Sequence, residues 1–158
     1  MENTYNHKPI GGVESVALYP ADAVRVALFS SEGCEVEFSG SPIEVALVED
    51  ASQYEESTSV ERGVTAITHR LQLVAERNDA TAWLDNQFIE RATYDGLVAV
   101  VSLGDGRNML AGYSAKFGNE QPLRLTSLTS SSGNSPHQTP SVTLLLVSHD
   151  TDFSPLIL

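Results

Sequence analysis

After Gly63 the chain enters a long stretch of strict two-residue alternation. Ile67, His69, Leu71, Leu73 and Ala75 fall on one side of an extended backbone, and Thr68, Arg70 and Gln72 fall on the other. Such a segment completes its backbone hydrogen bonds only with neighbouring strands and buries its apolar side only under a second layer. The residues before and after it supply those strands. Val13–Tyr19, Val24–Phe29, Cys34–Phe38 and Ile43–Val48 read as short β segments broken at Pro20, Ser31–Gly33 and Ser39–Pro42. Leu97–Leu103 is almost wholly apolar and is separated by Gly104-Asp105-Gly106-Arg107 from Asn108–Tyr113, the pattern of a hairpin. Leu123–Leu128 and Val142–Ser148 add two more. The acidic, hydroxylated stretch 53–62 reads either as an exposed strand or as a mobile loop, with Tyr54 as its one large apolar anchor.

One segment changes period. Ala80, Trp83, Leu84 and Phe88 recur at helical spacing, with Thr81, Asp85 and Glu90 turned away, which predicts an amphipathic helix over about 80–93. Asn78 or Asp79 is the expected cap, and Asp95-Gly96 the stop. Nine or ten strands and one helix place the chain in the mainly β, α+β class: an antiparallel β-sandwich or barrel with one flanking amphipathic helix and a long hairpin loop. Residues 13–150 form the expected single domain. Residues 1–12 form an N-terminal arm, and 151–158 a C-terminal tail whose apolar SPLIL needs a cover; both read as appendages made for partners, as does the 130–141 loop. The stretch 130–141, SSSGNSPHQTPS, has no apolar anchor and is expected to be an exposed loop.

The 158 residues hold 9 Lys plus Arg against 21 Asp plus Glu, a formal net charge of −12. With only Lys8 and Lys116 as lysines, a surface that neutralises many phosphates is hard to assemble, which argues against tight nucleic-acid binding. The lone Cys34 has no internal disulfide partner, and no leader pattern opens the chain, so an intracellular product is expected. Leu97–Val101 and Leu144–Val147 are too short to span a bilayer. The acidity is uneven, net −9 over residues 1–62 and −3 over the remainder. That bias confers solubility, and it also suits a surface past which DNA moves without sticking.

Catalytic and metal signatures are weak. His7, His69, His137 and His149 lack the close spacing of a zinc or iron motif, and one thiol forbids a thiolate cage. His69 sits on the apolar side of its strand, where a core or interface histidine with one hydrogen bond is the ordinary reading. His149-Asp150-x-Asp152 reads as a solvated strand end rather than a cation site. Gly112-Tyr113-Ser114-Ala115-Lys116 lacks the second glycine and the strand-to-helix turn of a nucleophile elbow. Cys34 stands among Glu32, Glu35 and Glu37, which disfavour its thiolate. Glu55-Glu56 and Glu49-Asp50 are adjacent acids on extended backbone, so their side chains point to opposite faces rather than converging across a cleft as in a glycosidase. Gly104-Asp105-Gly106 is a turn, without the lysine and following helix of a phosphate loop. Trp83, assigned to the helix stripe, leaves no exposed tryptophan for sugar stacking. The sequence therefore assigns no catalytic, metal or cofactor-binding residue. A hydrolase built on Ser114 or a carboxylate pair is the weakest of the functional readings.

The order Tyr54-Glu55-Glu56, Gly63, Thr68-His69-Arg70-Leu71-Gln72-Leu73, Asp95-Gly96-Leu97-Val98-Ala99-Val100-Val101, Asp105-Gly106-Arg107, Ala111-Gly112-Tyr113, Pro122-Leu123-Arg124-Leu125 and Val142–Asp150 resembles that of small virion structural proteins of phages and prophages of Bacteroides-type bacteria. The likeness covers roughly residues 50–155 and lies in layout and turn placement. It implies a tail-tube or head-to-tail connector subunit: a non-enzymatic protein that forms homo-oligomeric rings with other virion proteins around a DNA conduit. The subunit would be made in the host bacterial cytoplasm and reside in the virion. The resemblance further implies that the 1–12 arm and 130–141 loop reach adjacent subunits and that some carboxylates face the lumen, with DNA passing without sequence-specific binding and no membrane, cofactor or small-molecule partner. The alternative is a sandwich module that binds a protein or glycan through loops at one end.

Overall fold

The computed structural model describes residues 12–48, 51–78, 81–114, 116–132, 140–150 and 153–158. They form β1 (Val13–Pro20), a 3₁₀ turn (Ala21–Ala23), β2 (Val24–Phe29), β3 (Cys34–Phe38), β4 (Ile43–Glu44), β5 (Gln53–Glu61) and β6 (Val64–Glu76). The helix α1 (Asn86–Tyr94) follows, then β7 (Leu97–Leu103), β8 (Asn108–Ala111), β9 (Arg124–Ser131) and β10 (Ser141–Asp150). Two four-stranded sheets, in the orders β4-β1-β7-β8 and β5-β6-β10-β9, and a separate β2-β3 ribbon are antiparallel throughout. This is the expected mainly β, sandwich-like α+β class.

The alternation read after Gly63 is the spine of one sheet. Leu71, Leu73 and Ala75 of β6 join Val142, Leu144 and Leu146 of β10 on the inner face, and all six are fully buried. Val16 and Leu18 of β1 and Leu97, Ala99 and Val101 of β7 face them from the other sheet. The apolar character of Leu97–Leu103 has a specific cause: β7 is covered on both sides. Its odd-numbered residues enter this core, while Val98 and Val100 meet Val24, Val26, Cys34 and Val36 of the β2-β3 ribbon in a second, smaller one. The molecule is thus three layers deep at β7.

The two sheets are stitched together on both sides. The segment expected as a strand over Ile43–Val48 pairs with β1 at Ile43–Glu44, with one more bond from the Val45 amide to the Val16 carbonyl at 3.1 Å. It then crosses over, and Leu47 bridges Ala75 while the Val48 amide donates to the Val74 carbonyl at 2.8 Å. On the other side Leu97 and Leu123 exchange two backbone hydrogen bonds of 2.7 and 2.9 Å. The switch of sheets is what shortens β4.

The helix also departs from expectation. It begins at Asn86, not near residue 80, because Asp85 is the residue that caps it. Its Oδ1 accepts the Phe88 amide at 2.8 Å. Trp83 and Leu84 precede the helix in a turn that the Leu84 amide closes on the Thr81 carbonyl at 3.0 Å, and the Thr81 amide and hydroxyl both donate to the Asn78 carbonyl. Asn78 therefore serves that turn rather than the helix; Asp79 and Ala80 lie outside the described residues. The C-terminal stop stands: Asp95 and Gly96 amides donate to Arg91, and Gly96 takes φ +82°. Phe88 and Ala92 face the main core, and α1 packs along β9.

Candidate interaction surface and buried polar cluster

β5 and β6 are joined by the two-residue turn Arg62–Gly63, whose φ values of +52° and +78° give the twist that a tight hairpin needs. The stretch 53–62 is thus a strand, and an unusual one. The β6–β10 ladder stops at Ile67–Asp150, whereas β5 and β6 continue pairing to Glu61–Val64. Every residue from 57 to 66 is exposed. The hairpin tip therefore projects past the sandwich with neither face covered by another element among the described residues. Val60 and Val64 remain 65% and 66% exposed. On its far side β5 has no partner strand among the described residues, and β9 has none at the opposite edge of the same sheet.

Beside β9 lies an open groove of about 890 Å³, bounded by the 3₁₀ turn, the C-terminal end of α1 and residues 119–124. Arg91 and Arg124 share its walls with Asp22, Asp95 and Glu120, and Tyr94 of α1 stands 73% exposed. The Asn119 side chain donates to the Ala21 carbonyl at 3.1 Å and fixes the floor.

A dense polar cluster in the interior surrounds His69, which is 3% exposed. Its Nδ1 lies 2.8 Å from Tyr54 Oη, 3.1 Å from Ser154 Oγ and 3.1 Å from Glu56 Oε2. Tyr54 Oη and Ser154 Oγ are 2.6 Å apart, and the Ser154 amide donates to Glu56 Oε2 at 2.9 Å. The core histidine read from the sequence is there, with several partners instead of one. Serine, histidine and carboxylate meet, yet hydroxyl and carboxylate crowd the same ring nitrogen. A catalytic relay needs them on opposite nitrogens, with the serine open to substrate, and Ser154 is only 9% exposed. The cluster instead anchors the C-terminal segment to β5 and β6. Burial pushes the Tyr54 phenol above its ordinary range, so it stays a neutral donor.

From Ser154 the chain runs back over the domain. Pro155 accepts from the Leu110 amide, Leu156 from the Cys34 amide, and the Ile157 and Leu158 amides donate to Asn108 and Cys34, all at 2.8–2.9 Å. The apolar tail expected to need a cover has one in its own molecule, spanning β3 and β8. This corrects its reading as an appendage made for partners. Fully buried Cys34 pairs edge to edge with Ile157 of this tail, its thiol pushed up by burial.

The other candidate residues do not converge. Ser114 is buried in a turn where its Oγ accepts the Phe117 amide at 3.0 Å, with no histidine or carboxylate hydrogen-bonded to it among the described residues. Glu55 and Glu56 take opposite faces, Glu55 outward in a shallow depression with Arg70 and Glu56 inward to His69. His149 is exposed while Asp150 is buried, so alternation separates them. The Asp105 carboxyl is held below the usual range by the Arg107 backbone N–H, and by the Arg107 guanidinium 2.6 Å away; this completes the turn read at 104–107. Among the described residues no group of three His, Cys, Asp or Glu side chains is placed to hold a metal. Trp83 stacks edge-on against Phe88, and its buried indole N–H is without a hydrogen-bond partner. His7, His137, Glu49, Asp50 and Asp152, with most of the 1–12 arm and of the 130–141 loop, lie outside the described residues; Ser130, Ser131 and Ser141 belong to strands. Exposed acids occur on β1 (Glu14), β3 (Glu35, Glu37), β4 (Glu44) and β5 (Glu55, Glu61), in all three layers rather than on one wall. No helix among the described residues is long and apolar enough to cross a membrane.

Sequence reasoning missed Ser154 and the pairing of Glu56 with His69, because their partners are distant in the chain. No protein-family model, curated protein or solved structure matches this chain.

Proposed function

We propose that this chain is a non-catalytic structural subunit that assembles with copies of itself, in the role of a phage tail-tube or head-to-tail connector protein whose rings surround a DNA conduit. The observation that carries the reading is the β5-β6 hairpin. A two-stranded ribbon is marginal in water, and this one continues beyond its sandwich with exposed valines and an edge nine residues long with which no strand among the described residues pairs. A neighbour that pairs with it supplies what the domain does not. Pairing of the hairpin with a different surface of the neighbour is a head-to-tail contact, the type that closes into rings or extends into filaments. The net charge of −12 suits a particle that nucleic acid passes without being gripped.

Light scattering and electron microscopy of the purified full chain test this, with rings or tubes as the expected species. Strictly monomeric particles at every concentration and salt, with no co-encoded protein able to recruit them, refute it. A protein-binding module is the second reading, favoured by the groove beside α1 with Tyr94 exposed in it.

A further inference from the structure

We infer that the receptor for the β5-β6 hairpin is the β9 edge and the adjoining groove of a second copy of this chain, an inference that rests on the assembly reading above. β5 and β9 are the outer strands of one sheet and run in opposite directions, since each ladder between them is antiparallel. A neighbour set alongside in the same orientation therefore continues the sheet as an antiparallel one.

One register satisfies both faces. With Glu61 opposite Arg124 of the neighbour, exposed Val60, which lies on the core-facing side with Thr58 and Ile67, falls opposite half-buried Leu125. β9 carries a bulge, since Leu125 and Ser127 pair with the consecutive Leu146 and Leu145 and leave Thr126 as the extra residue. That residue keeps the faces in phase, so Thr58 meets Leu128 and Ser57 meets Thr129. A slip by one residue sets apolar against polar along the whole edge.

The charges agree with this register. The exposed acids of β5 are Glu55 and Glu61, whereas β9 has no acid, carries Arg124, and is joined by Arg77, whose guanidinium donates to Ser130 at 2.9 Å. Past Glu61 the Arg62–Gly63 turn enters the groove next to Arg124, where Asp95 and Glu120 face the Arg62 guanidinium and Tyr94 offers a ring. A two-fold pairing of β5 with itself brings two acidic strands together instead.

The register also sets a geometry. Glu61 is level with Val64 and Arg124 with Arg70, six residues along β6. Each added copy is then displaced by about 20 Å along the strands for about 19 Å across four of them, which tilts the strands roughly 45° from the axis of a flat ring, at the upper end of what closed barrels adopt.

Charge exchange tests the contact. Glu61→Arg and Arg124→Glu, both at exposed positions, should each raise the concentration for half-assembly in sedimentation velocity by about tenfold or more, and the double variant should return it to within about threefold of the parent. Thermal unfolding verifies that each variant is folded. Oxidation of the Ser57→Cys/Thr129→Cys protein should give a ladder of covalent multimers and either single variant none, with buried Cys34 silent. Singles that assemble like the parent, a double as impaired as the singles, or a covalent dimer from Ser57→Cys alone overturn the inference while leaving self-assembly intact. A parent chain that never assembles overturns the functional reading with it.

Discussion

Replacing Gly33 by alanine probes the return of the C-terminal segment. A Cβ at this position collides with the Leu156 carbonyl oxygen and sits 3.1 Å from a Leu158 methyl. The carbonyl belongs to backbone and cannot swing aside, so the segment must lift. Lifting it breaks the Cys34 N–H to Leu156 bond (2.8 Å) and the Leu158 N–H to Cys34 bond (2.9 Å). At a net 0.5–1.5 kcal/mol each, their loss costs about 2 kcal/mol. Because a factor of ten corresponds to about 1.4 kcal/mol, the open population rises by about 30-fold. Cys34, the sole thiol, fully buried and bridged to Ile157 of this segment, reports the opening directly. Labelling with a thiol reagent under native conditions should accelerate by about that factor in Gly33→Ala, and by at least as much in a chain ending at Phe153, while urea unfolding shows whether global stability has fallen equally. If the labelling rate is unchanged, or rises only as far as global unfolding explains, the segment does not cover Cys34 in the manner described.

Three further outcomes follow from the same geometry. The Tyr54 phenol titrates higher folded than unfolded, so its contribution is complete below the unfolded value of about 10 and is lost as pH rises from there toward the folded value. Urea midpoints should therefore fall above about pH 10, and less steeply in Tyr54→Phe. Asp85→Ala removes the cap of α1 and should cost about 1 kcal/mol by chemical denaturation; no loss would mean that the helix is capped elsewhere. Leu144→Ala opens a void between the two sheets and should cost about 2–5 kcal/mol, with the lower end indicating that the core collapses into the space.

The strand pattern was legible because burial here is one-sided almost everywhere, and one-sided burial writes a period of two. The alternation of β6 and β10 and the β7-β8 hairpin were read nearly to the residue. Errors arose where a second force acted. The apolar spacing of Ala80, Trp83 and Leu84 fits a helix, but the turn closed by Thr81 and the cap at Asp85 compete for the same residues and win. Ile43–Val48 has strand composition, yet its job is to leave one sheet and join the other, a tertiary fact invisible in a local window. The polar cluster was half legible. His69 announces itself as a polar residue on an apolar face, but nothing local ties it to Ser154, 85 positions away. The projecting hairpin was hidden for the converse reason: a strand exposed on both faces has no apolar period to read.

The central placement of β7 bears on how the chain comes to be folded. Its main partner is β1, with Val16 set against Val101, and β6 likewise finds β10 across Leu73 and Leu144, so the two ladders that build the core each join segments 65 or more positions apart. Closing loops of that size precedes any reward from packing and slows folding toward the millisecond-to-second range. The β5-β6 hairpin, closed by a two-residue turn, forms in about microseconds. A newly made chain thus forms its exposed ribbon long before the rest of the sandwich is in place. At high expression the ribbons of half-folded chains meet first, and the yield of soluble folded protein should fall as synthesis rate rises and recover on slow, cool expression.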